Sequence, residues 1–463
     1  MLPFLRTLEK PGTELPRVIG KPGTYGFAYW PALLCEGDTV DPKKYISKIF
    51  YGNLDAIKQH FDSELTDLNL IEDIDPEHKF TLRHSSGCQR NIKGLNKSVI
   101  SMYPSLRNLF KHEYVHIINI EYGGIDLNAL LYSRKYSIDF NIFICSLRPI
   151  LEGLFELNEI KGLLHRDLKP SNILMDDRKN TVRFSIIDFG LMCYGKDVFN
   201  KDSMTILTYE YPIFPPEFQV IGHMFSLIES ENLQDLKGFT KAIVDNQNEL
   251  VEKAMANIKM PFNEHNFLEN IVQSNKTPLM QASDIRDFII DLYDYVSLIE
   301  DHEIKPVEII QRYVQDRGIC CKCDIYSLGY VLLLYHKVEG KITYKSPGDQ
   351  QFFYDTIVQM MTLNPLKRAN AKDIIEHLEV FNICPIKWSA SIESESGYGS
   401  PGSRSKWVCT PRKANGTPRK SIDRPFSRKS IDRPFSRKSI DTTSKTTDSV
   451  KSNIFTVLDD API

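Results

Sequence analysis

Eight consecutive residues, His165-Arg166-Asp167-Leu168-Lys169-Pro170-Ser171-Asn172, constrain this chain more than any other stretch. They fix several unlike side chains in one short loop. Asp167 can accept the proton of a hydroxyl, and Asn172, five residues on, offers an amide oxygen to a hard cation such as Mg²⁺. Lys169 lies between them, where an ammonium stabilises charge on a group in transfer. Any one of these residues alone would pass for an ordinary polar side chain in a solvent-facing loop. The whole set reads as a reaction centre.

The flanking segments predict how such a loop is held. Upstream, Phe143, Leu147, Ile150, Leu154 and Leu157 form an apolar stripe at helical spacing. A helix is expected from an N-cap at Ser137 to about Ile160, kinked at Pro149. Downstream, Ile173-Leu174-Met175 reads as a short strand, and a turn over 176–180 leads to a second strand over 182–187. That strand ends in Asp188-Phe189-Gly190, which puts a second hard-cation ligand, Asp188, sixteen residues after Asn172. Near the N-terminus, Arg17 to Tyr29 places two β-prone runs around a glycine-rich turn, a geometry that lets backbone N–H groups approach phosphates. Tyr45 to Phe50 alternates like a strand. Asp55 to Ile74 carries Ile57, Phe61, Leu65, Leu68 and Ile71 at helical spacing, closed by Asp75-Pro76.

Together these segments resemble the eukaryotic-type serine/threonine protein kinase family over about residues 15 to 383. The octapeptide resembles its catalytic loop and Asp188-Phe189-Gly190 its D-F-G motif. In the glycine loop, Gly23 and Gly26 match the second and third glycines, Lys21 stands where the first belongs, and Gly20 lies one residue early. Ile19 and Ala28 flank that loop as expected nucleotide contacts, Ala28 in place of the Val that packs on the base. Tyr45-Ile46-Ser47-Lys48 resembles the V-A-I-K strand, which makes Lys48 the expected ligand of the α- and β-phosphates. Its expected helix partner is Glu64, with Glu72 as the alternative. The run from Glu121 to Leu127 resembles the hinge. Ile120 is then the gatekeeper, Glu121 and Tyr122 offer backbone hydrogen bonds to adenine, and Asp126 reaches the ribose. Pro215-Pro216-Glu217 resembles A-P-E, with Ser203, Thr205 and Thr208 in the activation segment as candidate phosphorylation sites. Asp324 to Gly329 resembles the start of a buried helix, and Arg368 is the expected ion-pair partner of Glu217.

The resemblance implies an α+β, bilobal protein-kinase fold. A small antiparallel β-rich N-lobe would span 15–126, with a surface insertion at about 77–112. A mainly helical C-lobe would span 127–383, with a helical insertion at about 218–322. It also implies transfer of the γ-phosphate of ATP, with Mg²⁺, to Ser or Thr hydroxyls of protein substrates, the chain's own activation segment or tail among the candidate acceptors. The displaced first glycine and Pro215 for Ala depart from the pattern. The irregular glycine loop leaves open a nucleotide-binding pseudokinase, and the long insertion a small-molecule kinase on the same fold with the insertion shaping a pocket, against which the match at Pro215 to Glu217 and Arg368 counts. The Glu-Tyr-Gly-Gly hinge and the run Tyr211 to Glu217 are similar to divergent kinases of large DNA viruses.

Composition bounds the rest. At 463 residues the chain is too long for one core. The first five residues, soon followed by Arg6 and Glu9, are too few for a signal peptide, and the apolar run Ile325 to Tyr335 is too short to cross a membrane. Nine cysteines without paired spacing lead us to expect reduced thiols in a cytosol or nucleus, or in an infected-cell cytoplasm or virion. Cys320-Cys321-Lys322-Cys323 lacks further zinc ligands at matching spacing. The net charge of −3 conceals a basic stretch, Pro401 to Ile440, with twelve Lys or Arg against Asp423 and Asp432. From about 384 to 463 the composition predicts disorder around a nonapeptide repeat, Arg419 to Ser427 and Arg428 to Ser436. A solvated tail follows from this, rather than a nucleic-acid-binding fold.

Overall fold

The computed structural model describes residues 15–380, except 21, 23–25, 52–53, 86, 107–108, 134–135, 179–181, 200–212, 260–281, 301–302 and 339. All lie in one contact unit, Met1–Arg412; the second, Lys413–Ile463, falls outside the described residues with the repeats it carries.

Five strands build an antiparallel sheet in the order β1-β2-β3-β5-β4: β1 (Arg17–Ile19), β2 (Gly26–Trp30), β3 (Tyr45–Phe50), β4 (Cys88–Asn91) and β5 (Tyr114–Glu121). Period-two alternation in β3 sorts its side chains. Ile49 faces a core with Val18, Phe27, Tyr29 and Ile117, while Phe50 packs with Ile57, Phe61 and Ile118 on the opposite face. That opposite face is covered by α1 (Leu54–Ile74), whose apolar stripe matches the predicted spacing. The helix stops before Asp75-Pro76. The buried Asp75 carboxylate then accepts from the N–H groups of Lys79, Phe80 and Thr81 and from the Thr81 hydroxyl, which fixes the following turn.

Two expectations are corrected in this region. Residues 77–112 are not simply a surface insertion. Cys88–Asn91 pairs with β5, and Ile92, Leu95, Ile100, Leu106 and Leu109 are buried in the core under the sheet. The polar character of 85–96 hid this because β4 leaves Gln89 and Arg90 exposed and the buried side chains, Ile92 and Leu95, only follow it. Nor are all the thiols reduced. Cys35 and Cys88, 53 residues apart, form a disulfide that ties the segment after β2 to β4, and Cys145 and Cys321 each carry a disulfide bond as well. Cys193, Cys320 and Cys323 are free, and no group of three or more His, Cys, Asp or Glu side chains is placed to hold a metal ion among the described residues.

A second, three-stranded sheet carries the chain past the octapeptide. Strand β6 (Ile125–Asp126) pairs with β7 (Ile173–Asp176), and β7 pairs with β8 (Arg183–Ile186). Between β6 and β7 lie α2 (Leu127–Tyr132) and α3 (Phe140–Leu154). The cap of α3 is Asp139, which accepts from the N–H groups of Asn141 and Ile142, and not Ser137. Ser137 lies too early because Ile138–Asp139 is extended, paired in parallel with Ile342–Thr343, and its hydroxyl bonds that of Thr343. Pro149 is inside α3, and Phe155–Ile160 continues it as a π-helix.

Among the described residues, the remaining helices of ten or more residues are α4 (Pro216–Ser230), α5 (Leu236–Asp245), α6 (Gln247–Lys259), α7 (Ala282–Ser297), α8 (Pro306–Asp316), α9 (Cys323–Lys337), α10 (Pro347–Met361) and α11 (Ala371–Val380). They contain the helical segments expected between 218 and 322. One apolar core joins them to α3 through residues such as Leu147, Phe184, Phe239, Ile289, Tyr313 and Phe353. Almost every residue of α9 is buried, which accounts for its apolar run. No single described helix is long and apolar enough to cross a membrane.

Candidate active site

The octapeptide is fixed from below by one carboxylate. Asp324, fully buried in the first turn of α9, accepts from the backbone N–H of His165 (2.7 Å) and Arg166 (2.9 Å) and from the Asn158 amide (2.8 Å). Burial in a low-dielectric core makes such charge-assisted bonds strong and their loss costly. Sequence reasoning placed Asp324 at the start of a helix but gave it no task. The available signal was an acidic residue opening an otherwise apolar helix.

Arg166 needs this support because its φ of +65° lies in the left-handed region. Its Nε donates to the Leu191 carbonyl at 2.6 Å. His165 bridges two parts of the loop. Its Nδ1 accepts from the Asp167 N–H at 3.2 Å, so Nε2 is the nitrogen that donates to the Ile187 carbonyl at 3.1 Å. Phe189 packs edge-on against the same imidazole, ring centroids 5.0 Å apart.

On this base the predicted catalytic residues converge. Lys169 Nζ lies 2.8 Å from Asp167 Oδ2. The Asn172 amide nitrogen donates to the Asp167 backbone carbonyl (2.9 Å) and to Oδ2 (2.8 Å). Burial pushes the Asp167 carboxyl up, opposed by the Lys169 ammonium. Because Asn172 spends its N–H₂ on Asp167, its Oδ1 is the end left to meet a cation. Asp188, held at φ +66° with its side chain half exposed, supplies a carboxylate. An amide oxygen and a carboxylate are hard donors of the kind Mg²⁺ takes alongside substrate phosphates, so the residues present fit that ion.

Above them lies a cavity of about 250 Å³, lined by Ile19, Gly26, Ala28 and Lys48 from the sheet, Glu64 from α1, Ile120 from β5, and Leu174 and Asp188 from below. Lys48 Nζ is 2.6 Å from Glu64 Oε1 and 4.0 Å from Asp188 Oδ1. Burial raises the Glu64 carboxyl, with Lys48 pulling it back. Glu72 plays a different part. Its oxygens lie 3.1 Å from His84 Nδ1 and 3.7 Å from His78 Nε2, at the rear of the cavity.

Other expected contacts are placed differently. Lys21 and Gly23 lie outside the described residues, as do Ser203, Thr205 and Thr208. Gly20, at φ +70°, does not line the cavity. Gly26 does, and a side chain there would meet the Ile49 carbonyl at 2.5 Å, so close approach of β2 to β3 requires a glycine. Glu121, Tyr122 and Asp126 are not among the lining residues. Tyr122 is corrected as an adenine contact: its N–H donates to the Lys44 carbonyl (2.9 Å) and its carbonyl accepts from Arg178 (2.6 Å). The Glu121 N–H likewise donates to the Arg83 carbonyl at 2.7 Å. Asp126 caps α2 through the Ala129 N–H at 2.8 Å instead of pointing at the cavity.

Glu217 and Arg368 meet in a bidentate pair at 2.6 and 2.8 Å, neither side chain exposed. The pair ties the start of α4 to the segment between α10 and α11.

Residues 66–218 match the family model of the protein kinase domain, a span that holds the catalytic loop, Asp188 and Glu217 but leaves Lys48 and Glu64 outside. A probable serine/threonine-protein kinase of Dictyostelium discoideum is 30% identical over 131 residues, 27% of this chain and 18% of the relative. Mitogen-activated protein kinase kinase 1 of Arabidopsis thaliana is 25% identical over 184 residues, 40% of this chain and 49% of the relative. Serine/threonine-protein kinase tousled-like 1-B of Danio rerio is 41% identical over 80 residues, 16% and 10% of the two chains. The chain thus spans half or less of the length of these relatives.

Proposed function

We propose that this chain, which carries a protein kinase domain of the eukaryotic serine/threonine type, is an ATP- and Mg²⁺-dependent kinase that phosphorylates Ser or Thr hydroxyls of protein substrates. In this reading the five-stranded sheet with α1 and the helical body are the two lobes of one kinase fold. The observation that carries it is the Lys48 ammonium, which reaches both Glu64 on α1 and Asp188 beyond β8. A cation braced in that way is aimed at phosphate oxygens and not at a structural partner.

Each residue then has a task. Lys48 holds the nucleotide phosphates, and Glu64 fixes its position. Asp167 orients the acceptor hydroxyl and takes its proton, while Lys169 stabilises the charge on the phosphoryl group in flight. Asn172 and Asp188 would hold Mg²⁺, which would supply neutralising charge to the nucleotide phosphates. The Asn172 N–H₂ locks the Asp167 carboxylate in its working orientation.

Transfer of labelled γ-phosphate to a generic basic protein tests the reading. The wild type is expected to transfer phosphate, and Asp167→Asn to be slower by on the order of 10²-fold or more with nucleotide binding retained. A wild type that binds nucleotide but transfers none would make the chain a pseudokinase. Transfer at an equal rate by Asp167→Asn would remove Asp167 from the chemistry.

A further inference from the structure

The two walls of the cavity belong to different sheets: Ile120 is the penultimate residue of β5, and Leu174 sits on β7. The strand pairing that joins them is short. Only Ile125↔Met175 and Asp126↔Leu174 are in register between β6 and β7. Gly124, at φ +94°, brings the backbone so close to Met175 that a side chain there would collide with its carbonyl. Two residue pairs make a weak ribbon.

A second tie runs through Arg178. Its Nε and one terminal nitrogen donate to the two oxygens of Asp176, each at 2.8 Å, and its backbone N–H donates to the same carboxylate at 3.0 Å. With the fork so fixed, a terminal nitrogen also donates to the Tyr122 carbonyl at 2.6 Å, and the guanidinium lies over the Tyr122 ring, 4.7 Å from its centroid. The Tyr122 N–H meanwhile donates to Lys44, at the entrance of the strand that carries Lys48. Tyr122 is therefore gripped on both sides, by Lys44 at the entrance of β3 above and by Arg178 in the turn after β7 below. Neither Arg178 nor Tyr122 lines the cavity.

We propose that Arg178 is a positioning residue that sets the separation of Ile120 and Leu174, and with it the fit of the cavity to the flat base of an adenine nucleotide. The proposal rests on the nucleotide reading of the cavity given above. It depends on a planar fork that bonds two acceptors and stacks on a ring at once, which a lysine cannot do. The Arg178 side chain is 47% exposed, so its removal leaves the core intact and falls on the geometry of the cleft.

The test measures binding of a fluorescent ATP analogue, steady-state kinetics and melting temperature for the wild type, Arg178→Ala, Arg178→Lys, Tyr122→Leu and the Arg178→Ala/Tyr122→Leu double variant. Loss of one carbonyl bond and one cation–π contact predicts about a fivefold to tenfold weaker Kd and higher KM for ATP in Arg178→Ala, with kcat within about twofold. Arg178→Lys should resemble Arg178→Ala, and the double variant should bind no worse than the weaker single one. Unchanged affinity in Arg178→Ala, full activity in Arg178→Lys, or a fall in kcat at unchanged KM would overturn the proposal alone. A wild type that binds no adenine nucleotide would overturn the reading of the cavity and this proposal with it.

Discussion

At the residue scale, the site works through side chains that hold one another. Lys48 matters through its position between Glu64 and Asp188. Lys48→Met should therefore abolish measurable phosphoryl transfer, whereas Glu64→Gln should weaken it by a smaller factor, since the ammonium survives but loses its brace. Initial rates of the two variants against the wild type check the ranking. A neighbouring carboxyl gives a pH signature. Burial, followed by the nearby Glu64 charge, raises Asp67 to about 6. A carboxyl raised in this way adds stability that is complete below its unfolded pKa and is lost as pH rises through about 6. Asp67→Asn should therefore melt higher than the wild type at a pH well above 6 and show no such gain at a pH near 4. Thermal scans at both values decide it; an equal gain at both would mean that titration of Asp67 is not the cause.

At the element scale, the catalytic loop is a rider on α9. The Asp324 carboxylate serves three donors, two of them backbone N–H groups of the loop. In Asp324→Asn one of the two acceptor oxygens becomes an N–H₂ that faces donors, and each buried donor left unpaired costs about 1–3 kcal/mol. We expect a lower melting temperature and a larger loss of kcat than of nucleotide affinity, read by thermal scans and by kinetics on the same sample. The Glu217–Arg368 pair behaves differently, because it braces α4 and touches no substrate group. Removing either partner strands a buried charge and should destabilise by about 3–5 kcal/mol, while a double replacement by apolar residues of similar volume should cost much less than the sum. Denaturant melts of the two single variants and the double one give the coupling. Elements were legible where periodicity was strong. The stripe of α1 and the buried face of α3 followed from spacing, whereas the cap of α3 did not. Asp139 and Ser137 are both good caps, and a two-residue parallel pairing with Ile342–Thr343 decided between them.

At the scale of the whole molecule, the sheet is cross-tied in a way local sequence does not announce. The Cys35–Cys88 disulfide closes a loop of 53 residues that includes β3 and α1. In the chain-entropy account a closure of that length contributes about 4 kcal/mol. Reduction, or Cys35→Ser, should lower the melting temperature. Scans with and without reductant check this, and identical curves for the oxidised and reduced protein would show that the cross-link does not constrain the unfolded chain.

What the sequence determined by itself was chemistry carried by neighbours in the chain. Asp167, Lys169 and Asn172 sit within six residues, so local backbone geometry alone brings their side chains together. Lys48, Glu64 and Asp188 needed a resemblance to be grouped, and folding then brought Glu64 to 2.6 Å and Asp188 to 4.0 Å from the same ammonium. Only the tertiary structure decided which carboxylate supports the loop, which cysteines pair and which way the hinge groups point. Tyr122 could offer its backbone to a ligand in an isolated segment. In the folded chain Lys44 and Arg178 have already taken both groups. The physical reason is common to all three: a group's partner is chosen by proximity in space, which chain separations of 53 between Cys35 and Cys88, 56 between Tyr122 and Arg178, and 159 between His165 and Asp324 do not reveal.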